Sequence, residues 1–176
     1  ELQKTLENSL RDTIASIAAD NPTYNTSSGT GVVVDVNSGE ILAMASYPTY
    51  NSATFNEDYK KLLSNPSKPM WNRAVSGLYA PGSTFKMLTA ISALEEGTIT
   101  KDEIIVDQGV YNYYNDISYR PECWIYTDYH LTHGPQNVTQ AIENSCNYFF
   151  YDTGRRLGIE NLNKYGKMFG LGEYTG

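Results

Sequence analysis

A serine and a lysine three residues apart form the first candidate reactive pair of this chain. Ser83 and Lys86 lie in the stretch APGSTFK, where a proline and a glycine precede a run with apolar residues at helical spacing. Positions i and i+3 of a helix share one face, so we expect the hydroxyl and the amine to lie side by side. Burial and the positive end of the helix favour an uncharged amine, which can take the proton of the hydroxyl and make the serine a nucleophile. The pattern also fits an ordinary serine N-cap followed by a lysine that extends to solvent.

A second candidate motif is Ser145-Cys146-Asn147, which follows a short amphipathic stretch, 137–143, and precedes the apolar run 148–151. Serine and asparagine are common in turns, so the tripeptide alone carries little weight. At the junction of two helices, however, it can direct a hydroxyl and a carboxamide into one cleft. S-x-x-K followed about 60 residues later by S-x-N is the order of the first two motifs of the penicillin-recognising serine enzymes.

Two longer segments strengthen this comparison. Residues 71–86 read WNRAVSGLYAPGSTFK and residues 31–48 read GVVVDVNSGEILAMASYP. Both resemble class B penicillin-binding proteins, closest to the elongation-type transpeptidases (the penicillin-binding protein 2 group) and their sporulation and division relatives. The resemblance covers roughly residues 28–176. It implies a peptidoglycan D,D-transpeptidase that cross-links stem peptides through a serine acyl-enzyme and is a target of β-lactams.

The resemblance also implies a role for each catalytic residue. Ser83 is the expected nucleophile, Lys86 the base, Ser145 the proton relay, and Asn147 the group that holds the backbone of a stem peptide ending in D-Ala-D-Ala. No cofactor is expected for catalysis. The third family motif, K-[ST]-G, does not occur in the 176 residues. We therefore expect residues 1–176 to be the N-terminal part of a transpeptidase domain, which needs its C-terminal half and does not turn over alone.

Both cysteines and both histidines of the chain fall within 24 residues. They are Cys123, His130, His133 and Cys146. Two thiols and an imidazole suit zinc, which takes four ligands, but the spacing is not that of a zinc finger. A Cys123–Cys146 disulfide and coincidence remain open alternatives. The resemblance implies a structural zinc beside S-x-N, with ligands Asp107, Cys123, His133 and Cys146 and with His130 or Asp128 as substitutes.

Charge and hydropathy limit the classes of partner. The net charge of −7 disfavours nucleic acid or anionic lipid as the main partner. The sequence has no run of 18 apolar residues and no export signal. The resemblance implies a domain on the extracytoplasmic face of the bacterial plasma membrane, anchored by an N-terminal segment outside this chain, within a membrane-bound wall-synthesis complex.

Other functions remain compatible with the same motifs. A serine β-lactamase or a β-lactam-sensing receptor shares the superfamily, and a D,D-carboxypeptidase differs only in using water as the acceptor. A non-catalytic scaffold of a wall-synthesis complex and a metal-binding interaction module are alternatives from another class. The fate of an acyl-enzyme on Ser83 distinguishes them.

The elements that must position these residues follow from periodicity and turn signals. The pattern predicts a helix over 2–19, then strands over 32–36 and 41–45 joined by a turn at 37–39 and covered by helices on both faces. Further helices are expected near 58–63, over the segment that carries Ser83 and Lys86, and over 138–144, 148–157 and 160–169, with a long excursion over 99–135. This order is α+β. The resemblance implies the penicillin-binding protein/serine β-lactamase-like transpeptidase fold, a helix-flanked antiparallel sheet, here only its first half and without its last three strands.

Overall fold

The computed structural model describes residues 1–114 and 118–174. Residues 115–117, which belong to the predicted excursion, and residues 175–176 lie outside the described part. The chain forms two units, Glu1–Tyr79 and Ala80–Gly176, and each is described by itself.

The first unit consists of a long helix, a β-hairpin and two shorter helices. These elements are α1 (Leu2–Asp20), β1 (Gly29–Val34), β2 (Ile41–Tyr47), α2 (Phe55–Ser64) and α3 (Arg73–Ser76). β1 and β2 are antiparallel, which confirms the predicted hairpin. Its turn is held by Asp35, whose Oδ1 accepts hydrogen bonds from the backbone N–H of Asn37 and of Ser38.

Small residues on one face of the hairpin allow α1 to approach closely. A Cβ on Gly31 would lie 2.9 Å from Leu6 Cδ1, and one on Gly29 would lie 3.1 Å from Ile14 Cδ1. The expectation of helices covering both faces is only partly met. α3 contacts both strands, but Val32 on the face opposite α1 remains 44% exposed.

The outer edge of β2 is occupied by a side-chain amide from α1. Gln3 Nε2 donates to the carbonyl of Met44 at 2.8 Å, and the Met44 N–H donates to Gln3 Oε1 at 2.9 Å. The amide thus pairs with both backbone groups of Met44, as a neighbouring strand would.

The second unit is a block of helices with a small two-stranded sheet. Its elements are α4 (Phe85–Glu95), β3 (Ile105–Asp107), α5 (Trp124–Tyr129), β4 (Gly134–Gln136), α6 (Val138–Glu143), α7 (Asn147–Leu157) and α8 (Ile159–Met168). The helices predicted near the C-terminus are confirmed to within one residue at each end. β3, β4 and α5, which lie in or at the end of the predicted excursion, are additional. β3 and β4 are antiparallel and place Asp107 opposite Gly134.

The core of the second unit forms where α4 packs against α7. Small buried residues of α4, Ala90 and Ala93, join Phe149 and Phe150 of α7 in one cluster. Of the large apolar residues of α4, Met87 is 54% exposed and Ile91 is 41% exposed, whereas Leu88 is buried. Met87 and other large side chains of α4 line an open groove of about 390 Å³ together with Phe169 and Leu171. The apolar stripe of α4 therefore faces this groove, and the small residues face the core.

Candidate active site and metal cluster

The candidate nucleophile Ser83 lies in one 3₁₀ turn, Gly82–Thr84, directly before α4. The sequence pattern placed Ser83 within the helix, whereas the structure places it just ahead of the first α-helical residue. Gly82 has φ +56°, which glycine adopts without steric cost. Thr84 Oγ1 donates to the carbonyl of Pro81 at 2.6 Å and tightens the turn. Ser83 is thereby fixed at an exposed position in front of the helix.

The candidate base Lys86 is the second residue of α4, and its side chain is half-buried. Its Nζ lies 5.9 Å from the centre of the Phe150 ring on α7. Nζ donates to the carbonyl of Ser145 at 2.7 Å and to Asn147 Oδ1 at 2.5 Å, and it lies 3.0 Å from Ser145 Oγ. The close packing of α4 on α7 therefore joins the two motifs at one amine.

Ser145 occupies the left-handed position at the end of α6. Its φ is +49°, its N–H donates to the carbonyl of Ile142, and the N–H of Cys146 donates to the carbonyl of Ala141. These two bonds form a Schellman motif, in which the left-handed residue is usually glycine. A serine here is held in an unfavourable backbone conformation, which presents both its carbonyl and its hydroxyl to Lys86.

The hydroxyl of Ser145 connects Ser83 to Lys86. Ser145 Oγ lies 2.9 Å from Ser83 Oγ and 3.0 Å from Lys86 Nζ. Direct proton transfer from Ser83 to Lys86 was expected, but no direct hydrogen bond joins them in the described residues. The contact between the candidate nucleophile and the candidate base therefore passes through Ser145.

The three hydrogen-bond partners of Lys86 fit a charged ammonium and equally an uncharged amine. The carbonyl of Ser145 and Asn147 Oδ1 can only accept, so they take the two N–H groups of a neutral amine. The third partner, the hydroxyl of Ser145, can donate to the nitrogen lone pair. Burial lowers the pKa of Lys86 and outweighs the opposing attraction of the sulfurs of Cys123 and Cys146. The arrangement suits a general base.

Asn147 is the first residue of α7 and directs its carboxamide into the same site. Its Oδ1 accepts from Lys86, so its two Nδ2 donors are directed to a different partner. Such a donor suits the carbonyl of a peptide ligand.

The structure brings together the four predicted metal ligands. Their ligand atoms lie within 4.8 Å of one another, and the residues are Asp107, Cys123, His133 and Cys146. Both cysteines are fully buried. The side chain of His133 is 7% exposed and that of Asp107 is 0% exposed. Pairing of β3 with β4 carries Asp107 to His133, and the start of α7 supplies Cys146.

The spacing of these atoms fits a tetrahedral zinc ion. Bonds of about 2.3 Å to sulfur and 2.0–2.1 Å to nitrogen or oxygen separate two sulfurs by roughly 3.8 Å and a sulfur from a nitrogen or oxygen by roughly 3.5 Å. The Sγ atoms of Cys123 and Cys146 are 3.9 Å apart, Cys123 Sγ is 3.4 Å from His133 Nδ1, and Cys146 Sγ is 3.6 Å from Asp107 Oδ2. The pair of His133 Nδ1 and Asp107 Oδ2, at 2.9 Å, is closer and lies at hydrogen-bond distance. The chemistry and spacing of the donor set therefore suit zinc.

The structure shows neither the disulfide nor the substitute ligands that were named as alternatives for this cluster. Both cysteines are free thiols, so the Cys123–Cys146 disulfide is not formed. His130 and Asp128, the suggested substitutes, are exposed and do not belong to the cluster.

Backbone donors and burial set the protonation of the cluster. Burial alone would raise the pKa of Asp107, but hydrogen bonds from the N–H groups of Gly109 and His133 outweigh it and lower that pKa. Burial raises the pKa of Cys146 to about 12. The Cys146 thiol is therefore a poor nucleophile at neutral pH, and it needs a bound cation to become a thiolate ligand.

Sequence reasoning missed three residues that surround Ser145. Gln136 is 5% exposed and binds the side chain of Asn144, while Trp124 Nε1 donates to the carbonyl of Asn144 at 3.1 Å. The sequence carries no signal for this network, because glutamine is ordinarily an exposed residue and the burial of Gln136 is visible only in the structure.

Comparisons with known proteins agree with the geometry. Residues 29–176 match the family described as penicillin binding protein transpeptidase domain. The chain is similar to the peptidoglycan D,D-transpeptidase MrdA of Escherichia coli K12, with 37% identity over 152 residues, which are 82% of this chain and 23% of MrdA. It thus spans less than a quarter of the length of this relative.

Two solved structures are similar to the chain. A complex between penicillin-binding protein 2 and MreC from Helicobacter pylori matches with TM-score 0.73 and 31% identity, over 90% of this chain and 29% of that one. An imipenem acyl-enzyme complex of penicillin-binding protein A from M. tuberculosis matches with TM-score 0.71 and 28% identity, over 85% and 36% of the two chains. The predicted α+β transpeptidase fold is confirmed.

Proposed function

The chain belongs to the penicillin-binding protein transpeptidase domain family, and on this premise we propose that it supplies the nucleophile and base of a peptidoglycan D,D-transpeptidase. The substrate is a stem peptide that ends in D-Ala-D-Ala, and β-lactams are the inhibitors. The observation that supports this most strongly is the chain of contacts from Ser83 Oγ through Ser145 Oγ to Lys86 Nζ, at 2.9 Å and 3.0 Å.

Acylation begins when Ser83 Oγ attacks the carbonyl carbon of the penultimate D-Ala. Its proton passes to Ser145 Oγ, while the proton of Ser145 passes to the lone pair of neutral Lys86. The new C–O bond gives a tetrahedral oxyanion, and general-base assistance of this kind is worth about 10²–10⁴-fold. When the C–N bond breaks, the relay runs in reverse, and Ser145 protonates the departing amine of the terminal D-Ala. An amine from a neighbouring stem peptide then attacks the ester carbonyl, the new C–N bond forms as the C–O bond to Ser83 breaks, and the proton lost by the amine returns to Ser83 Oγ through the same relay.

The site needs residues that these 176 do not contain. The backbone N–H of Ser83 supplies one oxyanion donor, and the strand that follows K-[ST]-G supplies the other. Removing one such donor costs about 10²–10³-fold. The C-terminal half of the domain is therefore required, and the isolated chain is expected to be inactive.

The test is covalent labelling of the full protein that carries this sequence, using a fluorescent penicillin and intact-mass analysis. The wild type should gain one penicilloyl group, whereas Ser83→Ala should gain none. Ser76→Ala, which changes an exposed serine of α3, is the matched control and should label normally. Labelling of Ser83→Ala would refute Ser83 as the nucleophile, and rapid release of penicilloate would favour a β-lactamase.

The four-residue cluster is proposed to hold a structural zinc ion. Asp107, Cys123, His133 and Cys146 would bind it, and it would fix the segment around Ser145 without contacting substrate. Protein purified without chelators should contain one zinc per chain, and Cys123→Ser should lose it, whereas Asp128→Asn should keep it. Metal-free protein that retains the melting temperature of the wild type would contradict this role.

Location and assembly are proposed from the family alone. The domain would lie on the extracytoplasmic face of the plasma membrane, tethered by a segment outside this chain, in a wall-synthesis complex. No helix in the described part of the chain is both long and apolar enough to cross a bilayer. External protease acting on spheroplasts should digest the domain, and protection of the domain would contradict this location.

A further inference from the structure

A buried glutamine of β4 connects the segment that carries His133 to the turn that carries Ser145. The side chain of Gln136 donates from Nε2 to the carbonyls of His133, at 3.1 Å, and of Pro135, at 2.8 Å. Its Oε1 accepts from Asn144 Nδ2 at 2.8 Å. Because carbonyls only accept, these contacts fix both the position and the orientation of the amide.

Asn144, the residue before Ser145, is held at two points. Gln136 binds its side chain, and Trp124 Nε1 donates to its carbonyl at 3.1 Å. That carbonyl belongs to the peptide plane whose nitrogen is that of Ser145, so fixing it restrains rotation about φ of Ser145. This φ is +49°, an unfavourable value for serine, and the backbone would relax from it if the restraints were removed.

We infer that Gln136, acting through Asn144, is a positioning residue for the hydroxyl of Ser145 in acylation. The inference rests on the proposed function. Ser145 Oγ must remain within hydrogen-bond distance of both Ser83 and Lys86, and a relaxed backbone at Ser145 would break one of these contacts. Gln136 is buried and contacts neither Ser83 nor Lys86, so its effect is on the rate of proton transfer and not on binding of the ligand.

The first test uses Gln136→Leu, which keeps the approximate size of the side chain and removes its hydrogen bonds. The acylation rate constant with penicillin should fall about 10- to 100-fold, the range for small misplacements of a reacting group, with the non-covalent dissociation constant nearly unchanged. Gln140→Leu is the matched control, because Gln140 caps the opposite end of α6 and should leave acylation unchanged. An unchanged rate in Gln136→Leu would overturn the inference.

The second test separates positioning from a general structural effect. In a Ser145→Ala background there is no hydroxyl to position, so Gln136→Leu should cause little further loss of rate. An equal fold-loss in both backgrounds would overturn the inference. If Gln136→Leu does not fold, Asn144→Ala removes the same hydrogen bond from an exposed position and is measured in the same way.

A third measurement does not depend on acylation and so remains informative if the proposed function fails. Glycine adopts positive φ freely, so a Ser145→Gly backbone needs no restraint. Removing the restraint in the wild type releases the strain at Ser145 and so recovers part of the lost stability, whereas glycine has no strain to release. Gln136→Leu should therefore lower the melting temperature more in the Ser145→Gly background than in the wild type. Equal losses would overturn the inference, whereas a wild type that is never acylated on Ser83 would refute only the proposed function.

Discussion

Replacing Ser145 should stabilise or destabilise the fold according to whether the new residue tolerates a positive φ. A residue other than glycine pays about 1–2 kcal/mol in the left-handed region. Ser145→Ala keeps this cost, and Ser145→Gly removes it but makes the unfolded chain more flexible, which offsets about 0.4–1 kcal/mol. Both variants lose the same hydroxyl contacts, so Ser145→Gly should exceed Ser145→Ala by roughly 0.5–1 kcal/mol in free energy of unfolding.

The assay is chemical denaturation of the complete domain, with penicillin acylation measured on the same samples. Both variants should lose acylation by about 10²–10⁴-fold, because both lack the relay. Asn144 supplies the matched control at the adjacent position, where φ is −86°. There the order should reverse, with Asn144→Ala more stable than Asn144→Gly. A Ser145→Ala protein at least as stable as Ser145→Gly would refute the argument that the S-x-N serine is strained.

Three further predictions concern the amine and two glycines. Burial lowers the pKa of Lys86, so the acylation rate should rise with pH and level off below pH 10.5, the ordinary lysine value. The free energy of unfolding should rise over the same pH interval, because Lys86 is still protonated in the unfolded chain and no longer protonated in the folded one. Asn147→Asp should move that rise to higher pH because a carboxylate raises the pKa of Lys86, whereas an unmoved profile would show that Lys86 is not the titrating base. Gly77→Ala should destabilise the domain by about 1–3 kcal/mol, because the added Cβ would clash with the carbonyl of Arg73. Gly154→Ala in α7 should stabilise the domain by up to about 1 kcal/mol, because the space around the added Cβ is open and alanine favours a helix. Equal melting temperatures of the two variants would contradict both expectations.

Periodicity predicted the long elements well because their buried faces repeat. The helix expected over 2–19 is Leu2–Asp20, and that expected over 148–157 is Asn147–Leu157. The short strands of the second unit escaped prediction, since three residues are too few to show alternation and Pro135 argues against a strand. Their pairing is nevertheless what places Asp107 beside His133.

The candidate catalytic residues were predicted from motif order and family resemblance, but the hydrogen bonds that connect them were not. Nothing in the residue types indicates that Ser145 adopts a left-handed backbone, because serine rarely does so. That single torsion turns the hydroxyl of Ser145 into the connection between Ser83 and Lys86. The four-residue cluster likewise followed from resemblance, since its spacing along the chain matches no zinc-finger pattern.

The amide of Gln3 affects which edge of the β-hairpin can pair with a further strand. It already occupies the outward N–H and C=O of Met44, so a further strand could pair with β2 at this residue only by displacing the side chain of Gln3. We therefore expect a strand contributed by another part of the protein to pair with β1 rather than with β2.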